Sequence, residues 1–492
     1  ILVEPNPLPT NARVGGEVNY VVFSNNWEHN ISAILEGNHT RVAPLSWRVQ
    51  GTFKRAGNAQ TPDYYLKNTG FYEGNFSAAL GWKKSNYGIE LYYSRFQTKI
   101  GIFSAAHLGS LSDLYRAIQS KTPLEQSSFT YQIGRPYQFI THDLLKAKTY
   151  VKTGSLGDLT ITFARQSNRR DEYDKTPPRN DSLAGLNHPA FRFKIQTFTL
   201  DAVWEHKPVK GFSGTVGADF MTQTNNSEFG YLIPNYWNFS GGVFVIERYT
   251  CKKLEIEAGL RFDYKWLQSY VKQRGVTDVV TLNFAVPSAS IGFDYHILSQ
   301  LKWNFNFGTA WRAPAPNQLY SYGLHHGAAA MEIGDRNFKK ETSYQLNTSL
   351  EWQSKYIRVD VGAYQNFMNG FIYLVPDTPP TLTIRGFFPV FKYKQTNASL
   401  SGLDANIVIE PVKGLELTSK TSLLWAYNTS KKQWLEQMPA NRFENSVRYT
   451  HEKNGRQVFF GINTQYVMQQ KNVPSSNVDY LPAPAAYFLL GF

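Results

Sequence analysis

One stretch restricts the possible folds more than any other. Leu254, Ile256, Ala258, Leu260, Phe262, Tyr264 and Trp266 occupy alternate positions, and Glu255, Glu257, Gly259, Arg261, Asp263 and Lys265 fill the positions between them. Side chains of an extended chain point alternately to opposite faces, so this segment has one apolar face and one charged face. Its period is two rather than 3.6, which excludes an amphipathic helix. Strands of soluble proteins usually run to about five or six residues. A tilted strand that crosses a bilayer needs about 9–11.

The pattern recurs along the chain. Trp303, Phe305, Phe307 and Trp311 alternate with Asn304, Asn306 and Gly308. Tyr344, Leu346, Thr348, Leu350 and Trp352 alternate with Gln345, Asn347, Ser349 and Glu351. About twenty strands are predicted. They fall near 15–24, 29–37, 46–56, 70–83, 88–100, 136–152, 156–168, 191–205, 211–222, 239–250, 253–267, 283–296, 300–311, 341–353, 356–374, 390–410, 414–427, 441–452, 456–469 and 485–492. Aromatics cluster at the ends of the stripes, where interfacial girdles belong. The chain is 15% aromatic, yet its mean hydropathy is only −0.39. No apolar run approaches the roughly 18 residues of a membrane helix. So many aromatics also exclude a disordered chain. A transmembrane β-barrel reconciles these facts, because every second residue of its strands is polar.

The connections alternate in length. Short turns are expected at 83–86, 153–156, 207–210, 251–253, 298–300, 353–355, 410–413 and 452–455. Long loops are expected at 101–135, 169–190, 223–238, 268–282, 312–340, 375–389, 428–440 and 470–484, with a short helix inside the first of them at 113–119. The first hairpin, at 25–29, is the exception. Such asymmetry is that of an outer-membrane barrel. A soluble propeller would show a repeat of about 40–50 residues, and none is visible. No linker divides the chain, so residues 1–492 are read as one barrel domain.

Cys251 is the one cysteine, which excludes an internal disulfide and a cysteine-rich metal site. The net charge of +13 comes from scattered Lys and Arg rather than basic runs, so no nucleic-acid partner is expected. No local Ser/His or Asp/His arrangement suggests an enzyme, and no cofactor is implied. The chain starts at Ile1 and stops within an apolar run at Phe492. Bacterial barrels close with an even number of strands, so the expectation is about 20 strands of a complete 22.

Residues 311–341 read WRAPAPNQLYSYGLHHGAAAMEIGDRNFKKE. Trp311 to Pro314, Asn317 to Tyr320 and Gly334 to Glu341 resemble the signature boxes of TonB-dependent outer-membrane receptors, with Phe338 where Leu is usual. Further similarity runs through Gln365-Asn366-Phe367, Phe371 to Leu374, Tyr393 to Asn397 and Leu400 to Asp404. The resemblance implies active import of a scarce metal, a siderophore or haem. It implies a TonB–ExbB–ExbD-type energy-coupling complex acting through an N-terminal plug, which this sequence does not include. It also places the long loops outside the cell. A glycan or peptide importer of the same superfamily, with a surface lipoprotein, and a passive porin are the alternatives.

The candidate ligand residues lie in the loops. His325 and His326, with Glu332 and Asp335 nearby, offer imidazole and carboxylate donors suited to zinc, iron or haem iron. In haem- and zinc-transporting relatives a His between the two boxes contributes to capture, which supports this choice. His107 is the next candidate and His188 follows it. The loop cations Arg169, Arg170, Arg179, Lys339 and Lys340 are expected to meet lipopolysaccharide phosphates.

Overall fold

The computed structural model describes residues 6–10, 14–39, 44–176, 185–273, 275–325, 327–383, 386–475 and 482–492. Twenty of its 23 strands form one antiparallel meander, in which each strand pairs with the next along the chain. The other three, Tyr322–His325, Ala330–Ile333 and Gln433–Trp434, sit in connections. Every segment expected from the dyads overlaps a wall strand. Among the described residues, the first strand, Val14–Phe23, pairs only with Glu28–His39, and the last, Tyr487–Gly491, only with Arg456–Val467. The sheet is therefore unclosed.

Residues paired directly across an antiparallel ladder share a face. Leu260 pairs with Val245 and Ala289, and Phe262 with Val243 and Pro287. These apolar layers point outward, and Leu260 is 64% exposed. In water that exposure would be a liability, whereas in a bilayer it is the lipid contact. The intervening face is polar. Arg261 bridges Asp219 and Asp263 at 2.6 Å each, and Arg248 reaches Glu257 at 2.6 Å.

Several expected loops are much shorter than the sequence suggested. Most of 268–282 belongs to the strands Leu254–Gln273 and Val276–His296. Most of 375–389 belongs to the hairpin Ile357–Thr383 and Gly386–Val412. The dyad pattern ends where lipid ends. Pairing continues beyond it, because the ladder still satisfies backbone donors and acceptors there. The helix in the first long loop spans Leu111–Gln119, and Ser110 caps it by accepting from the Asp113 amide.

Buried apolar clusters gather at the long-loop end. Phe191, Phe193 and Leu232 form one, and Tyr373, Val375, Ala398, Ala426 and Leu435 another. A third joins Leu267 and Val271 to Leu319 and Tyr320, which lie on the helix Pro316–Tyr320 inside the 313–340 connection. That helix packs against the inner face of the wall, near a place where the ladder is interrupted. Val276–His296 pairs with Leu301–Arg312 only from Ser290 to His296, and above this level the Thr309 hydroxyl takes over by accepting from the Ala289 amide.

Leu260→Arg, placed at mid-strand on the lipid face, is expected to cost about 2–4 kcal/mol of barrel stability. Asn347→Arg lines a recess of about 370 Å³ in the inner wall. It is expected to cost under about 0.5 kcal/mol. Urea titration of both variants folded into lipid vesicles measures the difference, and equal costs would mean that the two faces are misassigned.

Candidate functional site

The site is built on the 313–340 connection, and the boxes that begin and end it hold it down. Arg312 and Glu341 are paired across the ladder, and the Arg312 guanidinium donates to both Glu341 oxygens, at 3.0 and 3.4 Å. Arg312 also donates to Gln318 Oε1 at 2.8 Å, and that oxygen accepts from the Ala315 amide as well. Buried Glu341 accepts in turn from the Ile372 amide at 2.8 Å. Gln395 accepts from the Lys339 amide and donates to the carbonyls of Lys339 and Gly370. Gly334 is pressed against the helix: a Cβ there would lie 2.7 Å from the Gln318 carbonyl oxygen. The signature boxes thus lock a loop by mutual hydrogen bonding.

Within this frame the hairpin Tyr322–His325 and Ala330–Ile333 presents His325 beside Glu332. His325 Nδ1 lies 2.7 Å from Glu332 Oε1. A carboxylate only accepts, so the neutral ring carries its proton on Nδ1 and leaves the Nε2 lone pair free. The Tyr393 hydroxyl, which accepts from Asn317 Nδ2 at 3.0 Å, stands near Glu332. Asn317 belongs to the second of the matched boxes, so a signature residue positions a tyrosine near the carboxylate that holds the histidine.

His325 Nε2 faces Glu172 Oε1 at 3.8 Å, beyond hydrogen-bonding distance. Glu172 lies at the outer end of the wall strand Gly157–Tyr173 and is fully buried. Arg170 reaches its Oε1 at 2.9 Å, and Gln138 donates to that oxygen at 3.2 Å. Its Oε2 has no hydrogen-bond partner among the described residues. An imidazole nitrogen and a carboxylate from separate elements therefore converge without bonding. Glu172, Arg170, Gln138, Asn317 and Tyr393 were missed by the sequence reading. Gln138 and Tyr393 lay on expected wall strands and Asn317 in a box, while Arg170 and Glu172 were placed in the 169–190 loop, with Arg170 expected to meet lipid phosphates; the strand in fact continues to Tyr173 and pairs Arg170 with Glu172.

The remaining candidates lie elsewhere. His326 and Arg179 fall outside the described residues. Asp335 serves a turn: its Oδ1 accepts from the backbone and side-chain nitrogens of Asn337, each at 2.9 Å. His107 is buried with its ring edge-on to Phe388, 6.1 Å between centroids, where the first long loop meets the tall hairpin. His188 stacks near Phe229. Among the described residues no three His, Cys, Asp or Glu side chains stand together as a metal site.

The loop around His107 is tied by charge. Lys175 donates to the carbonyls of Ser104 and His107 at 3.2 and 3.3 Å, and both Lys175 and Lys67 donate to Glu125. Burial alone would raise the Glu125 carboxyl, but the two ammonium groups outweigh it and hold it below its ordinary 4.5.

The model of the β-barrel of TonB-dependent receptor-like proteins matches residues 8–492. The chain belongs to the TonB-dependent receptor family, and it is a multi-strand outer-membrane barrel. Solved structures with the same fold include a protein described as the copper transporter OprC, at 12% identity and a TM-score of 0.76 over 98% of this chain and 72% of that one. The FrpB iron transporter of Neisseria meningitidis (F3-3 variant) follows at 13% and 0.71, over 97% and 73%. The siderophore receptor PirA of Acinetobacter baumannii gives 12% and 0.68, over 98% and 74%. At such identities the likeness is one of fold.

Arg312→Ala leaves buried Glu341 with only the Ile372 amide as a side-chain partner among the described residues. It is expected to weaken the 313–340 connection by about 1–3 kcal/mol and to speed amide exchange there, while wall strands exchange as before. The Glu125 tie has a defined pH sense. Because its folded value lies below 4.5, the tie contributes fully above that pH and is lost as pH falls through the lower folded value. Proteolysis of the 101–135 loop is therefore expected to accelerate below about pH 4.5 in the native protein and not in Glu125→Gln, which lacks the tie at every pH.

Proposed function

We propose that the protein is an outer-membrane active transporter that imports a metal chelate or haem, energised through a plug by a TonB–ExbB–ExbD-type complex. The barrel is read as one domain with its long loops outside the cell. The observation that carries this reading is the convergence of His325 Nε2 and Glu172 at the mouth, with Glu332 fixing the imidazole from behind. A histidine whose Nδ1–H is held by a carboxylate aims its Nε2 at a cation and binds it more strongly. Two donors do not complete the four-coordinate shell of a bare zinc ion. The arrangement therefore suits a cargo that brings other ligands of its own, such as a chelated ferric ion or haem iron. The fold's likeness to copper, iron and siderophore receptors supports the same cargo class.

Binding is measured with ferric catecholate, haemin, Cu²⁺ and Zn²⁺ on the purified protein. His325→Ala is expected to lose at least about tenfold in affinity for the chosen cargo, since removing one positioned donor costs about 1.4 kcal/mol or more. His107→Ala is expected to leave affinity unchanged. A His325→Ala protein that binds all four probes like the parent removes the histidine from the site. Import that persists in cells without the energy-coupling complex would favour a passive pore.

A further inference from the structure

We propose that the outer end of the barrel carries a binding site for a soluble saccharide, separate from the lumen. The site is a cavity of about 660 Å³ beside the outer ends of three neighbouring strands, Phe212–Glu228, Asn235–Cys251 and Leu254–Gln273. That volume suits a small organic ligand.

The pairing register sets which side chains reach it. The outward alternation that runs to Trp266 continues through Gln268, Tyr270 and Lys272 on the same strand. Trp237 pairs with Gln268, and Asn235 with Tyr270. Thr224 pairs with Trp237, and Asn226 lies two residues beyond Thr224. Trp237, Tyr270, Asn235, Asn226 and Lys272 thus share the outward face, and all five line the cavity. Phe229 joins them from the connection between Phe212–Glu228 and Asn235–Cys251. Trp237 meets Trp266 edge-on, 5.2 Å between centroids, so the site stands directly above the aromatic belt.

The groups on offer are those that recognise a sugar. Trp237 and Tyr270 are 48% and 36% exposed. Their polar heads are already spent: Trp237 Nε1 donates to the Thr222 hydroxyl at 2.9 Å, and the Tyr270 hydroxyl donates to Gln268 at 2.8 Å. What each has left is a ring face in a fixed orientation. Exposed Phe229 adopts φ 74°, a left-handed backbone that a bulky residue takes only under constraint. The Arg192 guanidinium, 5.2 Å from its ring centroid, helps to hold it. Beside the rings, Asn235 Nδ2 donates to Asn226 Oδ1 at 3.2 Å, and Asn235 Oδ1 accepts from the Ser227 amide at 2.7 Å. Among the described residues, the Asn226 amide nitrogen keeps both of its donor hydrogens, and exposed Lys272 adds an ammonium. A pyranose presents the complement: a face of C–H groups that packs on aromatic rings, and a rim of hydroxyls that accepts from amide and ammonium donors. An acyl chain would leave those donors unpaired, and an inorganic anion would leave the rings uncovered.

The test is saturation-transfer difference NMR on the purified full chain in detergent micelles, titrated with maltotriose, chitotriose and sialyllactose. At least one sugar is expected to receive transfer at its ring C–H protons. Tyr270→Ala and Asn226→Ala/Asn235→Ala are each expected to weaken its binding by about tenfold or more, as loss of a stacked ring or of two amide contacts implies. Tyr270→Phe keeps the ring face and is expected to bind like the parent. Heat-shifted electrophoretic mobility confirms that each variant is folded. A parent protein that gives no transfer to any of the three sugars overturns the proposal. So does parent-like binding in the alanine variants, and so does retention of lipopolysaccharide alone, which would assign the cavity to the membrane surface. Cargo binding is read separately at His325, so a failure here leaves that reading untouched.

Discussion

The structure depends on one constraint. Hydrocarbon offers no partner to a backbone amide or carbonyl, so each must bond within the protein. A meander of neighbouring strands meets this at every wall position that pairs on both sides. Alternation then follows. With pairing in the sheet plane, side chains can point only to lipid or to lumen, and Leu260 and Arg261 take opposite solvents one residue apart. The modest mean hydropathy of the chain is a direct result, since half of each strand faces water.

A second consequence is where packing energy can be found. Inside the membrane the outward side chains meet lipid and the inward ones meet polar neighbours, so neither forms a protein core. Buried apolar clusters arise where loops fold back over the mouth, as Leu319 and Tyr320 do against Leu267 and Val271. A loop held by small clusters needs polar fastening as well. The Arg312–Glu341 pair and the Gln395 clasp supply it. The same fastening lets the loop carry a site, because Asn317 holds Tyr393 near Glu332 only when the helix that bears it is pinned.

Fold and site were unequally legible in the sequence. Wall strands could be read because lipid imposes a period that no soluble strand sustains for so long. Their outer extensions could not, since beyond the bilayer alternation is no longer required, and the strands Leu254–Gln273 and Val276–His296 continue on pairing alone. His325 and Glu332 stood out because they are chemically distinctive and close in sequence. Glu172 did not: it is 153 positions from His325 and sits in a charged run, Arg169 to Glu172, whose members look alike until the register separates them. Asp335 looked like a donor and serves a turn, because an Asp two residues before an Asn can bond locally at no cost in chain entropy.

That register also explains where irregularity is tolerated. A one-residue slip exchanges the two faces of a strand. On Gly157–Tyr173 it would turn Arg170 to the lipid and Arg169 to the lumen. Its pairing with Tyr137–Lys152 and with Phe191–His206 runs without a shift from end to end. In the tall hairpin the register does shift, between Met368 and Phe371 and between Asp377 and Thr381. The first shift follows directly after Phe367, which is paired with Tyr344 at the upper edge of the exposed aromatic belt. The shift between Ile409 and Val412 lies at the opposite margin, beside the short turn to Leu415. Bulges thus lie where lipid ends. Between the margins a slip would bury charge in hydrocarbon, and beyond them it only re-aims a loop. Where the wall must serve two solvents the ladder is regular, and where it must reach across a mouth it bends.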